Sequence, residues 1–64
     1  MRIDRIKLVT ELTMQGMTQK ELAERSGISR ATVNNIKCGK SCSKEIAEKI
    51  SIGLGVKLER LLEK

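Results

Sequence analysis

The 64-residue sequence contains no aromatic residue, no histidine and no proline. Without histidine, neither a serine–histidine nor a cysteine–histidine nucleophile can form, so we expect no catalytic residues and no enzymatic activity. Without Phe, Tyr or Trp there is no side chain on which bases can stack, which argues against sequence-tolerant binding of single strands or RNA. These absences favour a function in binding.

Long apolar runs are also lacking, the longest being two residues, as in Leu8-Val9. A membrane span needs about 20 apolar residues, and the first residues lack the apolar stretch of a signal peptide, so we expect a cytoplasmic protein with no membrane partner. Two cysteines, Cys38 and Cys42, are too few for a closed zinc site, and a reducing cytoplasm favours free thiols. We expect no metal and no cofactor.

The chain length predicts one domain over residues 1–64. A domain this short buries only about 60% of its unfolded surface, which leaves little space for a deep pocket, so we expect no small-molecule ligand. No stretch alternates polar and apolar residues long enough to form a strand. The sequence therefore predicts an all-α protein of five short helices.

Helix-start residues and glycines mark the boundaries of these helices. The expected N-caps are Asp4, Thr18, Ser29 and Ser43, and the expected ends are Gly16, Gly27, Gly39 and Gly55. Leu8, Val9 and Leu12 form the predicted apolar stripe of the first helix, and Met14 and Met17 are predicted to lie in the core or at its boundary. A short fifth helix near 58–62 is expected to close the core.

Charge is unevenly distributed along this chain of net charge +5. Residues 29–44 contain Arg30, Lys37, Lys40 and Lys44 and no acid, whereas residues 45–64 carry four bases and four acids. A block of one sign favours a polyanionic partner. Within the same part of the chain, the spacing of Ala23, Gly27, Ile28, Val33 and Ile36 is typical of two helices joined by a tight turn, a helix-turn-helix.

The stretch Thr18-Gln19-Lys20-Glu21-Leu22-Ala23-Glu24-Arg25-Ser26-Gly27-Ile28-Ser29-Arg30-Ala31-Thr32-Val33 resembles the DNA-binding domains of phage Cro and repressor proteins, the XRE-like family. Gly39-Lys40, Leu54-Gly55-Val56 and Leu61-Leu62 resemble the rest of that domain. The resemblance implies a compact five-helix, lambda-repressor-like fold whose third helix enters the major groove of double-stranded DNA, and a nucleoid-associated location.

The resemblance and the exposed positions together yield candidate DNA contacts. The candidates for base contacts are Arg30, Ala31, Asn34 and Asn35, and those for phosphate contacts are Thr18, Gln19, Thr32, Lys37 and Lys40. Arg30 can read guanine, Asn35 can read adenine or bond a phosphate, and Ala31 can contact a thymine methyl group. Each could instead be an ordinary solvated surface residue.

The sequence departs from the family pattern at three positions. Lys37 stands where many relatives carry Glu, Cys38 lacks the amide that bonds a phosphate in some relatives, and Gly53 stands where Ala is usual. Lys37 makes the DNA side more basic, whereas Gly53 is expected to lower the helix propensity of the fourth helix.

We expect a sequence-specific, repressor-like transcriptional regulator from a prokaryote or phage. The alternative is an antitoxin-type or other protein-interaction module on the same fold, although the end of the chain just after the last helix argues against a toxin-covering segment. A homodimer through the fourth and fifth helices, where Ile52, Leu58 and Leu62 offer apolar surface, is expected to bind half-sites one helical turn apart. A monomer that dimerises only on DNA is equally compatible.

Overall fold

The computed structural model describes residues 2–62, in which four α-helices follow one another. They are α1 (Arg5–Gln15), α2 (Gln19–Ser26), α3 (Arg30–Lys37) and α4 (Lys44–Leu54). The predicted fifth helix is instead a 3-10 turn, Leu58–Arg60, which is too short for an α-helical hydrogen-bond ladder. The all-α class is confirmed, but the count of five α-helices is wrong. Met1, Glu63 and Lys64, which the one-domain prediction includes, lie outside the described residues.

All four predicted N-caps are confirmed, because each side-chain oxygen accepts a hydrogen bond from a backbone N–H of the first turn. The cap of α2 is a complete capping box: Glu21 N–H donates to Thr18 Oγ1 at 3.1 Å, and Thr18 N–H donates to Glu21 Oε1 at 3.2 Å. The C-terminal end of α3 lies one residue before the predicted Gly39. Cys38 is the C-cap, and Gly39 follows it at φ +93°. The sequence therefore indicates the helix boundaries to within one residue here.

The core is a cluster of aliphatic side chains to which every helix contributes. Its members are Ile3, Leu8, Leu12, Met17, Leu22, Ala23, Val33, Ile36, Ala47, Ile50, Leu54 and Leu61. Burial of these side chains is the main stabilising term, since each Leu or Ile contributes about 1.5–3 kcal/mol when fully buried.

Two apolar side chains of α1 lie outside this core, contrary to prediction. Val9 is 38% exposed and Met14 is 71% exposed, whereas Met17 is buried as expected. The reason lies in the geometry of α1, whose buried residues are Leu8, Glu11 and Leu12, so that the polar Glu11 takes an inner position. Gln15 Nε2 donates to the Leu54 carbonyl at 2.8 Å, so a polar side chain also connects α1 to the end of α4.

Gly53 has a packing role that outweighs its low helix propensity. A Cβ at this position would overlap the hydroxyl oxygen of Ser26 and lie 3.3 Å from the Ser26 Cβ and backbone nitrogen. Ser26 is itself buried at the end of α2, and its Oγ has no hydrogen-bond partner among the described residues. The absence of a side chain at Gly53 thus lets α4 approach α2 closely.

The two ends of the described chain lie together. Ile3 and Leu62 form an isolated antiparallel bridge, and Asp4 N–H donates to the Leu61 carbonyl at 2.7 Å. Arg60 pairs with the buried Glu11 at 3.2 Å. These contacts attach the 3-10 turn to α1. No helix within residues 2–62 is long and apolar enough to cross a membrane.

Candidate nucleic-acid interface

The turn between α2 and α3 brings the two helices together as the sequence predicts. Gly27 takes the left-handed conformation at φ +69°, and Ile28 N–H then donates to the Ala23 carbonyl at 3.1 Å. A residue with a Cβ would be strained at that φ, which is why glycine stands here. The small, buried Ala23 and the half-buried Ile28 pack at the turn, and Ser29 restarts the chain as the N-cap of α3.

One side of α3 is buried and the opposite side carries the predicted base-contacting residues. Val33 is 0% exposed and Ile36 is 1% exposed, so the helix is held against the core by this pair. At about 100° per residue, the opposite side presents the remaining positions. All four candidates, Arg30, Ala31, Asn34 and Asn35, are exposed there. The structure therefore places the four side chains on one surface, which we call the α3 face.

The side chains of the α3 face are not engaged within the described chain. The described side-chain hydrogen bonds use neither Asn34 nor Asn35, and the ion pairs found among residues 2–62 do not include Arg30. Asn has low helix propensity, so two adjacent asparagines cost the helix stability. Such residues are suited to donate and accept hydrogen bonds outside the chain.

The electrostatics of this surface are one-signed. From Ser29 to Ser43 the sequence holds three basic residues, Arg30, Lys37 and Lys40, and no acid. All three side chains are exposed, so their charge reaches solvent. The next acid, Glu45, lies in the first turn of α4. A surface of this kind attracts an anionic partner.

The start of α2 and the end of α3 border a common groove of about 370 Å³. Gln19, the first residue of α2, lies at this groove together with Lys37, the last residue of α3. The first N–H groups of a helix lack intrahelical acceptors and form an anion-binding site. The structure thus brings a helix N-terminus, a side-chain amide and an ammonium group to one edge of the α3 face.

The remaining phosphate candidates differ in how free their side chains are. Thr18 Oγ1 accepts the hydrogen bond of its capping box, and Thr32 Oγ1 lies 2.8 Å from Ser29 Oγ. Both hydroxyls are thus engaged in holding helix starts. Lys40 is exposed just after α3, and its backbone N–H donates to the Asn35 carbonyl at 3.1 Å, which ties the loop to the last turn of α3.

The two cysteines lie at the end of α3 without forming a disulfide. Cys38 is exposed and Cys42 is half-buried, and both are free thiols. Burial raises the pKa of the Cys42 thiol, which favours its protonated form. Cys42 is partly buried and packs against the core.

One surface next to the α3 face was missed by sequence reasoning. Lys37 lies against Arg5, Ile6, Val9 and Thr10 of α1 in a second depression of about 330 Å³. A helical projection of α1 would have revealed it, because Ile6, Val9 and Thr10 share one side at i, i+3 and i+4 spacing.

Solved structures of other proteins share this fold. PhpD, in its native form with cadmium atoms, matches with a TM-score of 0.85 at 20% identity, covering 100% of this chain but 14% of the PhpD chain. At that identity the likeness shows the fold alone. The wild-type restriction-modification controller protein C.Esp1396I matches with a TM-score of 0.75 at 26% identity, covering 83% of this chain and 70% of that one. An alanine mutant of it gives a TM-score of 0.77.

The sequence comparisons agree with this fold. No curated protein matches the sequence closely enough to define a relative. The helix-turn-helix family model HTH_3 matches residues 10–61, which include all of α2, α3 and α4. The predicted resemblance to XRE-like regulators is thereby confirmed, and the chain belongs to the HTH_3 helix-turn-helix family of DNA-binding domains.

Proposed function

We propose that this protein binds double-stranded DNA sequence-specifically and regulates transcription in the manner of a repressor, by occupying an operator. The observation that carries the proposal is the α3 face: an exposed arginine, alanine and two asparagines on one side of a helix that is anchored by Val33 and Ile36. An α-helix fits the major groove of B-DNA, where base edges are exposed. C.Esp1396I, which matches at 26% identity, is a restriction-modification controller protein, and this supports a regulatory role.

Each residue of the α3 face has a chemical role in this proposal. Arg30, at the first turn of α3, donates two hydrogen bonds to O6 and N7 of a guanine. Asn35 bonds N6 and N7 of an adenine, and Asn34 is a second amide one position away. Ala31 lies between them and contacts a thymine methyl group. A well-formed bidentate contact contributes about 1–3 kcal/mol of discrimination.

Phosphate contacts orient the helix without reading sequence. Gln19 and the N-terminus of α2 bind one phosphate, supported by Lys37 across the groove. Lys40 adds a contact from the loop after α3. Thr18 and Thr32 contribute through the helix starts that their hydroxyls hold in place, because those hydroxyls already have partners.

A homodimer through α4 and the 3-10 turn is part of the proposal. Ile52 is 76% exposed on α4, which supports this surface. Leu58 and Leu62 are only partly exposed and pack against the core, so the dimer surface centres on Ile52 and is smaller than the sequence suggests. Sedimentation of the wild-type protein and of Ile52→Glu measures this directly: the variant should remain monomeric at concentrations at which the wild-type protein dimerises.

The test of the DNA-binding proposal is a selection of binding sites from a random pool of double-stranded DNA with the purified protein. We expect a short enriched sequence that contains a guanine and an adenine within one half-site. Two inverted half-sites about 34 Å apart would indicate a dimer on DNA. A pool in which no sequence is enriched would contradict sequence-specific binding.

A further inference from the structure

The outer face of α1 is free of charge and largely apolar. Ile6 is 70% exposed, Val9 is 38% exposed and Met14 is 71% exposed, while Thr10 and Thr13 fill the exposed positions between them. We call these five residues the α1 face. Solvated helix faces normally carry charged residues, and an apolar stripe at helical spacing is typical of a face that packs against a partner.

The acid and one base of α1 are directed away from this face. Glu11, the only acid in the helix, is 8% exposed and pairs with Arg60 at 3.2 Å. Lys7 Nζ donates to the Leu62 carbonyl at 3.0 Å. Among residues 2–62, the charges left beside the α1 face are therefore those of Arg5 and Lys37, both basic.

The α1 face is concave where it meets α3. Two adjoining depressions, of about 370 and 330 Å³, share Val9 and Lys37, and no Asp or Glu in the described part of the chain lines either one. From Ile6 to Thr13 the face spans eight residues, or about 10 Å at the α-helical rise. Two turns of a helix from a partner protein have the same length. Such a helix can lie along the groove with its apolar side chains between Val9 and Leu12.

We propose that the α1 face and the groove beside Lys37 bind an acidic amphipathic helix of a partner protein. The apolar stripe of that helix packs on Ile6 and Val9, and carboxylates flanking it pair with Arg5 and Lys37. Charge complementarity selects this occupant. A second copy is disfavoured, because a two-fold contact would place Arg5 and Lys37 opposite the same cations. DNA is disfavoured because Ile6, Val9 and Met14 offer its phosphates neither charge nor hydrogen bonds.

The location relates this site to the proposed function without depending on it. Lys37 borders both depressions, and the proposed function uses the same lysine to support a DNA phosphate. The acidic helix and that phosphate therefore compete for Lys37, so a partner bound at this site weakens DNA binding. The binding itself requires no DNA and can be measured on the protein alone.

The test is a selection from a displayed library of 16-residue helical peptides against the full chain, with enriched peptides then synthesised. We expect enriched peptides of net negative charge with apolar residues at i, i+3 and i+4. In NMR spectra of the protein, these peptides should shift the backbone amide signals of residues 5–13 and of Lys37. The uncharged variant Ile6→Gln should bind them at least tenfold more weakly, while its circular dichroism and its DNA binding stay unchanged.

The matched control is Ile52→Gln, which places the same substitution on an equally exposed isoleucine of α4. At protein concentrations at which the protein is monomeric, it should leave peptide affinity unchanged. The proposal is overturned if no peptide whose binding depends on Ile6 is enriched, or if basic peptides are preferred. It is equally overturned if raising the protein concentration alone shifts the α1 face, since a second copy then covers it. Shifts of the same face by a DNA duplex would assign it to DNA instead.

Discussion

The outer faces of α3 and α4 differ, although both helices start at a serine N-cap and bury an apolar stripe. On α4 the exposed charges are paired one turn apart, Lys44 with Glu48 at 3.9 Å and Lys49 with Glu45 at 3.5 Å. On α3 the exposed charges are all basic, and the positions between them hold short polar or small side chains. One helix neutralises its own surface, and the other leaves its surface for a partner.

The two helices also differ in how much their outer surfaces contribute to stability. An exposed i, i+4 ion pair contributes only about 0.3–0.5 kcal/mol, so α4 gains modest stability and a near-neutral surface. Helix α3 has no such ion pair among the described residues. It also carries Asn34 and Asn35, although asparagine is among the poorer helix formers. A surface of paired charges and the basic surface that we propose for DNA are thus built on the same scaffold from opposite choices.

The largest expected difference is in the free energy of unfolding, between a substitution on the inner face of α3 and one on the outer face of α4. Ile36→Ala removes a side chain that is 1% exposed and should lower the free energy of unfolding by about 2–5 kcal/mol. Ile52→Ala removes one that is 76% exposed and, at protein concentrations at which the protein is monomeric, should change it by no more than about 0.5 kcal/mol. Urea unfolding followed by circular dichroism measures both. Equal losses would mean that the burial pattern described here is wrong.

The next effect concerns DNA affinity and compares one cation on each outer face. Arg30→Ala should weaken binding to the selected site by about 1–3 kcal/mol, because the bidentate guanine contact is lost. Lys49→Ala removes the same charge from α4, where Glu45 is its partner, and should cost less than threefold in affinity. Fluorescence anisotropy with a labelled duplex compares them. Similar losses in the two variants would show that net charge, and not the α3 face, determines affinity.

A third effect concerns the inner face of α4. Gly53→Ala should destabilise the protein by about 1 kcal/mol, because the strain of the new methyl group against Ser26 exceeds the gain in helix propensity. With Ser26→Ala the hydroxyl is gone, and adding Gly53→Ala should then cost less or stabilise. A double-mutant cycle in thermal unfolding measures this coupling. Additive effects would show that the Ser26 hydroxyl does not restrict position 53.

The smallest effects are expected from the lysines beside the α3 face. Lys37→Ala and Lys40→Ala should each reduce the slope of log affinity against log salt concentration by about 0.9, because one phosphate contact is lost. Sequence preference should stay the same. Lys44→Ala, whose lysine lies close to Glu48, is the matched control and should leave the slope nearly unchanged. A changed sequence preference in either α3-side variant would assign that lysine a base contact.

Local signals in the sequence were enough for the helix starts and for the α3 face. Capping by Thr18 or Ser29 depends on neighbours three residues away, and Val33 with Ile36 defines the buried side of α3 by periodicity alone. The α1 face was missed because Val9 is predicted to share one apolar stripe with Leu8 and Leu12. A helical projection groups Val9 with Ile6 and Thr10 instead, and the ion pair of Glu11 with Arg60 shows that this side of α1 faces outward.

The end of the chain shows the same limit. Gly53 resembles a helix-weakening substitution until Ser26 is seen against it, and a short leucine-rich segment does not distinguish a 3-10 turn from a helix. Both features depend on contacts between residues far apart in sequence. Periodicity and capping rules describe only neighbours on the same helix.

The most direct test of the central claim repeats the DNA selection with Arg30→Ala and Lys49→Ala beside the wild-type protein. If the α3 face reads bases, the sequence selected by Arg30→Ala should lose its preference for guanine at one position. The preferences at all other positions should be those of the wild-type protein. Lys49→Ala should enrich the wild-type sequence unchanged. An Arg30→Ala pool identical to that of the wild-type protein, or a Lys49→Ala pool with altered base preferences, would contradict the assignment of sequence reading to α3.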